Sequence, residues 1–191
     1  TLGWARDGRD SALVPTSGTY QRVFADVSTA GDARYYRANY QIQNYLPLGK
    51  KYTLALNSDL GYGAGLGGKP FPLFKNYYVG GLGSVRGFQP STVGSAGTRD
   101  VTSATNSTPV YLGGSKKVVL NAEFIGPFPG TGNDKTLRMF AFVDAGSAFA
   151  DNDPIRLNDL RMSYGVGLSW ISPMGPLRFS YGLPLKQQAG D

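Results

Sequence analysis

Arg161-Met162-Ser163-Tyr164-Gly165-Val166-Gly167-Leu168-Ser169-Trp170-Ile171 is the stretch on which the fold turns. Met162, Tyr164, Val166, Leu168 and Trp170 fall on one side of an extended chain, and Arg161, Ser163, Gly165, Gly167 and Ser169 on the other. Successive strand side chains point to opposite faces, so this is a strand with one apolar face and one small or polar face. The next segment repeats the pattern, with Leu177, Phe179, Tyr181 and Leu183 opposing Arg178, Ser180, Gly182 and Pro184. Ser172-Pro173-Met174-Gly175-Pro176 between them is a tight turn, since proline fixes φ and glycine supplies a positive φ. The two strands form a hairpin.

The same period runs through most of the chain. Tyr52, Leu54, Leu56, Leu60 and Tyr62 oppose Thr53, Ala55, Asn57, Asp59 and Gly61; Tyr36, Ala38, Tyr40, Ile42 and Leu46 oppose Arg37, Asn39, Gln41 and Gln43. Leu137, Met139, Ala141, Val143 and Ala145 oppose Arg138, Phe140, Phe142 and Asp144. Residues 118–125 and 19–29 read as further strands, and 2–6 as the tail of another. The pattern predicts an all-β chain of about eight antiparallel strands joined as a meander. Its apolar face could be covered by a second sheet in a soluble sandwich, or by acyl chains around a barrel with a polar interior. Three details favour an up-and-down transmembrane β-barrel. The strands run about 10–13 residues, enough to cross a tilted bilayer and longer than ordinary strands. Tyr36, Tyr45, Tyr52, Tyr62 and Trp170 lie near strand ends, where an interfacial girdle belongs. The opposing faces carry Gly, Ser, Asn, Gln and Arg, which suit water. The sandwich stays as the alternative, and it would extract without detergent.

The 191 residues allow one domain or a large piece of one, and they include 27 glycines and 12 prolines. Neither Cys nor His occurs, which excludes Ser-His-Asp and Cys-His triads, thiolate chemistry, disulfides and the common zinc sites. Lys and Arg total 19 against 13 Asp and Glu, a net charge of +6. These cations are scattered, with Lys116-Lys117 the densest group, so no basic stripe for nucleic acid is expected. No run of 18 apolar residues could form a transmembrane helix, though barrel strands never need one. Thr1 opens directly into strand-like text with no signal peptide, which reads as a mature protein or an excerpt. Gly63-Ala64-Gly65-Leu66-Gly67-Gly68 matches a dinucleotide pattern, but Pro70 and Pro72 follow Lys69, so neither a helix nor a metal-binding hydroxyl is available. It reads as a glycine-rich exit from a strand. Asn106-Ser107-Thr108 fits a glycosylation sequon, too common a pattern to carry weight. No catalytic constellation, cofactor, metal or small-molecule substrate is expected, and the chain reads as no enzyme.

Connections alternate in length: residues 44–50 and 172–176 are short, whereas 64–115 is a loop of about 50 residues, far beyond ordinary loop lengths. Its second half, 91–115, is rich in Ser, Thr and Gly and reads as mobile surface; its first half is dense in aromatics and glycine and reads as packed. That first half contains Asn76-Tyr77-Tyr78-Val79-Gly80-Gly81-Leu82-Gly83-Ser84-Val85-Arg86-Gly87-Phe88. Val85-Arg86-Gly87-Phe88 resembles the VRGF/Y motif of the outer-membrane insertase superfamily, which includes assembly factors of the BamA and TamA types and two-partner secretion transporters. Gly65-Leu66-Gly67-Gly68-Lys69 with Pro72, Phe74 and Asn76-Tyr77-Tyr78 resembles the BamA-type approach to that motif. Leu2-Gly3-Trp4-Ala5-Arg6 with Pro15-Thr16-Ser17-Gly18, and Ser169 through Leu177 with Phe179-Ser180-Tyr181, are similar to other parts of the same barrel type. The resemblance covers nearly the whole chain in order; 91–115 and 151–158 fit only as variable loops.

The resemblance implies a sixteen-stranded barrel of which this chain is the C-terminal part, with the extracellular loop 64–115 folded back into the lumen. Arg86 would meet wall carboxylates there, Glu123 and Asp144, with Gly80, Gly81, Val85, Gly87 and Phe88 completing the loop motif. The alternation independently puts both acids on the face opposite the apolar residues. The implied function is folding and insertion of β-barrel clients into the outer membrane of a Gram-negative bacterium, without a nucleotide. Expected partners are outer-membrane lipid, unfolded clients and accessory lipoproteins held by POTRA domains. Those domains, about seven earlier strands and the closing strand would lie outside these residues, and the piece alone is expected to be inactive. Alternatives are a transporter of a secreted partner polypeptide and a small eight-stranded anchor or adhesin. Two sheet edges left open in hydrocarbon would have to close on each other, pair with another copy or meet further strands.

Overall fold

The computed structural model describes residues 1–95, 110–131 and 136–187, together with the backbone of 99–100. Its main element is one eight-stranded antiparallel sheet, in chain order. The strands are β1 (Leu2–Asp7), β2 (Gly18–Ser28), β3 (Tyr35–Leu48) and β4 (Tyr52–Gly65), then β7 (Lys116–Pro127), β8 (Leu137–Phe149), β9 (Arg161–Ser172) and β10 (Gly175–Lys186). Between β4 and β7, the two-residue strands β5 (Arg99–Asp100) and β6 (Val110–Tyr111) pair only with each other. β1 and β10 are the two edges of the large sheet. The chain is therefore all-β, a meander of the barrel type, and no described helix is long and apolar enough to cross a membrane.

The register realises the alternation. Val166 and Tyr164 are 56% and 44% exposed, whereas Arg161 and Ser163 on the same strand are wholly buried. Tyr36, Leu56, Leu60, Leu120, Phe124, Met139, Val143, Phe179 and Tyr181 are likewise exposed. No described protein layer covers this outer face. The inner face is the covered one, and what covers it is the segment 66–95. Among the described residues no second sheet packs on the apolar face, and the sandwich alternative is overturned.

Seven of the strands run 11 to 14 residues, and β1 runs 6. β3 continues to Leu48, past the point where residues 44–50 read as a connection. Pro47 interrupts a ladder only where its missing N–H is needed. Here β2 ends at Gly18 opposite Tyr45, so that side of Pro47 has no neighbour to bond. Tyr45 also departs from expectation. Tyr36, Tyr52, Tyr62 and Trp170 stand on the outer face, but Tyr45 shares the inner face with Gln43 and donates to it at 3.3 Å. Its position near a strand end suggested a girdle, while its odd parity along β3 turns it inward.

The loop from β4 lies on the inner wall because that wall is cut to receive it. Gly61 and Gly63 face inward, and a Cβ on them would sit 2.7 and 2.5 Å from the rings of Tyr77 and Phe71. Tyr77 donates to the Ala38 carbonyl at 2.8 Å, and Phe71 meets Tyr35 edge-on at 5.9 Å between ring centroids. The Lys75 ammonium reaches Asp26 on β2 at 2.8 Å, and the Lys117 ammonium on β7 reaches Asp59 on β4 at 2.6 Å. The segment read as mobile surface, 91–115, falls largely outside the described residues. At its described ends that reading is corrected. Thr92 and Val93 are buried, Val93 bonds to Val79 and Ala148, and Gly114 pairs with Tyr77.

Val166→Arg, central on the outer face of β9, is expected to destabilise the full-length protein in lipid vesicles by about 2–4 kcal/mol. Ser180→Arg, half-buried on the inner face, is expected to cost clearly less. Guanidinium unfolding of both variants in vesicles measures the difference, and equal losses would contradict the assignment of faces.

Candidate functional site

Arg86 is the centre of the inner face. Residues 79–88 make a compact knot: the Gly81 N–H donates to the Val85 carbonyl at 3.0 Å, and the Gly80 N–H to Ser84 Oγ at 2.7 Å. Gly80 has φ 119°, and a Cβ there would strike the Gln89 carbonyl at 2.5 Å, so only glycine fits. Gly87 has φ 87° and presses against Gly182 of β10, where a Cβ on either glycine would lie 3.0–3.1 Å from the other's backbone. Val85 and Phe88 are buried with Val79, Val93, Val119 and Ala148, which glues the knot to β7 and β8. A Cβ on Gly146 would lie 2.8 Å from the Val85 side chain.

The knot delivers the guanidinium to two carboxylates. Nε and Nη2 of Arg86 donate to the two oxygens of Asp144 at 2.7 and 2.6 Å, and Nη1 donates to Glu123 at 2.6 Å. The Arg86 backbone N–H adds a third bond to Asp144 at 3.0 Å. Asp144 is wholly buried and also accepts from Asn121 at 2.9 Å, while the same Asn121 amide donates to the Ser84 carbonyl at 2.7 Å. The neighbouring positions follow from the register, since Asn121 is paired with Asp144 and Glu123 with Phe142 across β7 and β8. A planar fork can bind two acids at once, which an ammonium cannot do with the same geometry. Burial works against the charge of Arg86, but hydrogen bonds to Asp144 and the field of both acids outweigh it and raise its pKa. It stays a cation.

Two phenylalanines floor the clasp. The guanidinium carbon of Arg86 lies 3.6 Å from the Phe142 ring centroid, within cation–π range. Phe140 and Phe142 are buried on the otherwise polar face, and they fit because Gly165 and Gly167 lie beneath them, where a Cβ would come within 2.6 Å of their rings. The sequence reading singled out neither ring, nor Asn121, nor Arg178. Arg178 on β10 grips the same Glu123 through Nη2 at 2.6 and 2.5 Å and covers Phe140 at 4.1 Å. Its only signal was parity, since it shares the small, inward face of β10 with Ser180 and Gly182. Glu123 is thus held by one arginine from the loop and one from the wall. A polar cavity of about 400 Å³ opens beside them, lined by Gln43, Tyr45, Asn57, Glu123 and Arg178 among others. No cluster of three or more His, Cys, Asp or Glu side chains suited to a metal occurs among the described residues.

An open antiparallel sheet with an apolar exterior and a loop pinned inside by an Arg–carboxylate clasp defines the chain as part of a membrane β-barrel wall. The chain belongs to the Omp85 superfamily, whose domain description matches residues 1–191. It is 35% identical over 217 aligned residues to outer membrane protein assembly factor BamA of Neisseria meningitidis, covering all of this chain and 27% of that protein. A BamA of Nitratidesulfovibrio vulgaris is 29% identical over 96% of this chain and 22% of its own length. The mouse sorting and assembly machinery component 50 homolog is 25% identical over 97% of this chain and 40% of its own. Among solved structures, BamA from Haemophilus ducreyi lacking POTRA domains 1–3 superposes with a TM-score of 0.87 at 30% identity, covering 99% of this chain and 39% of that one. The chain spans about a quarter of the length of the two bacterial relatives.

Arg86→Ala in the full-length protein leaves Asp144 buried without its partner, an expected loss of about 3–5 kcal/mol. Protease cleavage within 66–95 should then rise sharply. Arg86→Lys should behave more like Ala than like wild type, because one ammonium replaces three donating nitrogens. Arg178→Ala, removing a half-exposed partner, should cost only about 0–1 kcal/mol. Thermal unfolding and limited proteolysis of the three variants check the ranking.

Proposed function

We propose that this chain is the C-terminal half of the barrel of an insertase in the outer membrane of a Gram-negative bacterium, and that the whole protein folds and inserts β-barrel clients there. The observation that carries this reading is the Arg86 clasp on Asp144 and Glu123 within a sheet of the Omp85 superfamily. The names of the bacterial relatives as assembly factors support it. The alternatives of a secretion transporter and a small closed anchor draw no such support, and β1 does not pair with β10.

In this reading residues 64–115 are an extracellular loop whose first half plugs the lumen, with Gly80, Gly81, Val85, Arg86, Gly87 and Phe88 as its working motif. Its role is mechanical. The docked knot ties β7, β8 and β10 together from inside, so that the wall keeps its register while a client is threaded into lipid. The work is done by strand pairing and burial, without a nucleotide, cofactor or bond-making step. The partners are unfolded clients, the surrounding lipid, and accessory lipoproteins engaged through POTRA domains.

The full-length protein in vesicles should speed insertion of an unfolded β-barrel client over protein-free vesicles. Arg86→Ala should remove most of that acceleration while the variant still partitions into membrane, and the 191-residue piece alone should give none. Protease protection of the client is the measurement, and equal insertion by wild type and empty vesicles would sink the proposal.

A further inference from the structure

Close to the β7–β8 turn, two small residues interrupt the large apolar side chains of the outer face. Gly126 on β7 is paired with Met139, and Ala141 on β8 lies between Phe124 and Val166. Tyr52 closes over Gly126, where a Cβ would lie 2.9 Å from its ring, and stacks on Phe124 with centroids 5.3 Å apart and planes 18° from parallel. The result is a trough of about 660 Å³, walled by Tyr52, Phe124, Phe128, Met139 and Val166 and floored by Ala141. That volume suits one small-molecule-sized guest. Lys51 lines the end of the trough nearest the β3–β4 turn, with Lys50 exposed just before it. The described lining residues include no carboxylate.

We infer that the trough binds one anionic phospholipid, an acyl chain lying on Ala141 and the phosphate resting against the Lys51 ammonium. The inference rests on the membrane reading proposed above, and it adds a specific site to it. The trough opens toward acyl chains, so its guest must be apolar over most of its length. The single formal charge at its rim is positive and stands at the end where headgroups begin. An apolar slot ending in a lysine selects a molecule with a fatty tail and an anionic head. The short connections β3–β4 and β9–β10 mark this as the periplasmic side in the proposed orientation, where phospholipid is the available guest.

The test uses the full-length protein in nanodiscs of mixed phosphatidylglycerol and phosphatidylcholine, with retained lipids identified by native mass spectrometry after release. Wild type should retain phosphatidylglycerol in excess of the disc composition. Lys51→Ala should cut that excess about fivefold, as the loss of one cation near a headgroup implies. Ala141→Leu, which fills the trough with another apolar side chain, should abolish retention of both lipids. Excess millimolar inorganic phosphate should leave retention unchanged, and displacement by it would overturn the lipid assignment. Wild-type retention that mirrors the disc composition, retention unaffected by both substitutions, or a second protein copy in place of lipid would each overturn the site. Client insertion measured in the same discs separates the two ideas. Insertion without selective retention overturns the trough alone, and retention without insertion overturns the proposed function alone.

Discussion

A buried carboxylate in a barrel wall is costly unless something answers it, and in this protein the answer comes from a loop rather than from a neighbouring strand. Asp144 is sealed from solvent and receives the side chain and the backbone N–H of Arg86, with Asn121 taking a further lone pair. The desolvation of these charges is offset by the charge-assisted hydrogen bonds that Arg86 makes with both acids. The loop and the wall therefore depend on each other. Without the wall acids the guanidinium has no reason to enter; without the loop, β8 carries an unpaired charge in its middle.

Space matters as much as charge. The knot reaches the acids because the inner face offers glycine at four of the loop's close approaches: Gly61 beneath Tyr77, Gly63 beneath Phe71, Gly146 beneath Val85 and Gly182 beneath Gly87. Gly165 and Gly167 do the same for Phe142 and Phe140, which carry the guanidinium on an aromatic bed. Glycine in a strand interior weakens the strand, but here the lost side-chain packing is replaced by the loop's own. The strands and the loop together make the core that neither could make alone.

The strands and their faces were legible in the sequence because alternation is a local signal, and a single residue of parity decides inside from outside. The inward placement of Glu123 and Asp144 follows from that same parity, as does the fit of Arg86 to them. What could not be read was anything that depends on how strands stack side by side. Arg178 lies on β10 and Glu123 on β7, with β8 and β9 between them, so their meeting requires the register and curvature of four strands at once. Tyr45 was placed by its nearness to a strand end, when its parity already turned it inward. Thr92, Val93, Gly113 and Gly114 look like surface by composition, yet they are buried, with Val93 bonded through its backbone to Val79 and Ala148 and Gly114 to Tyr77.

The strict two-residue period also sets where this protein can change length. One residue inserted in β8 after Met139 would swing Phe142 and Asp144 out among the acyl chains and present Val143 to Arg86. A single-codon slip within a strand is thus far more damaging than most substitutions there, whereas the short connections between strands can gain or lose residues without touching either face. Over evolutionary time, drift in size should collect between strands, leaving the ladder itself as a fixed ruler.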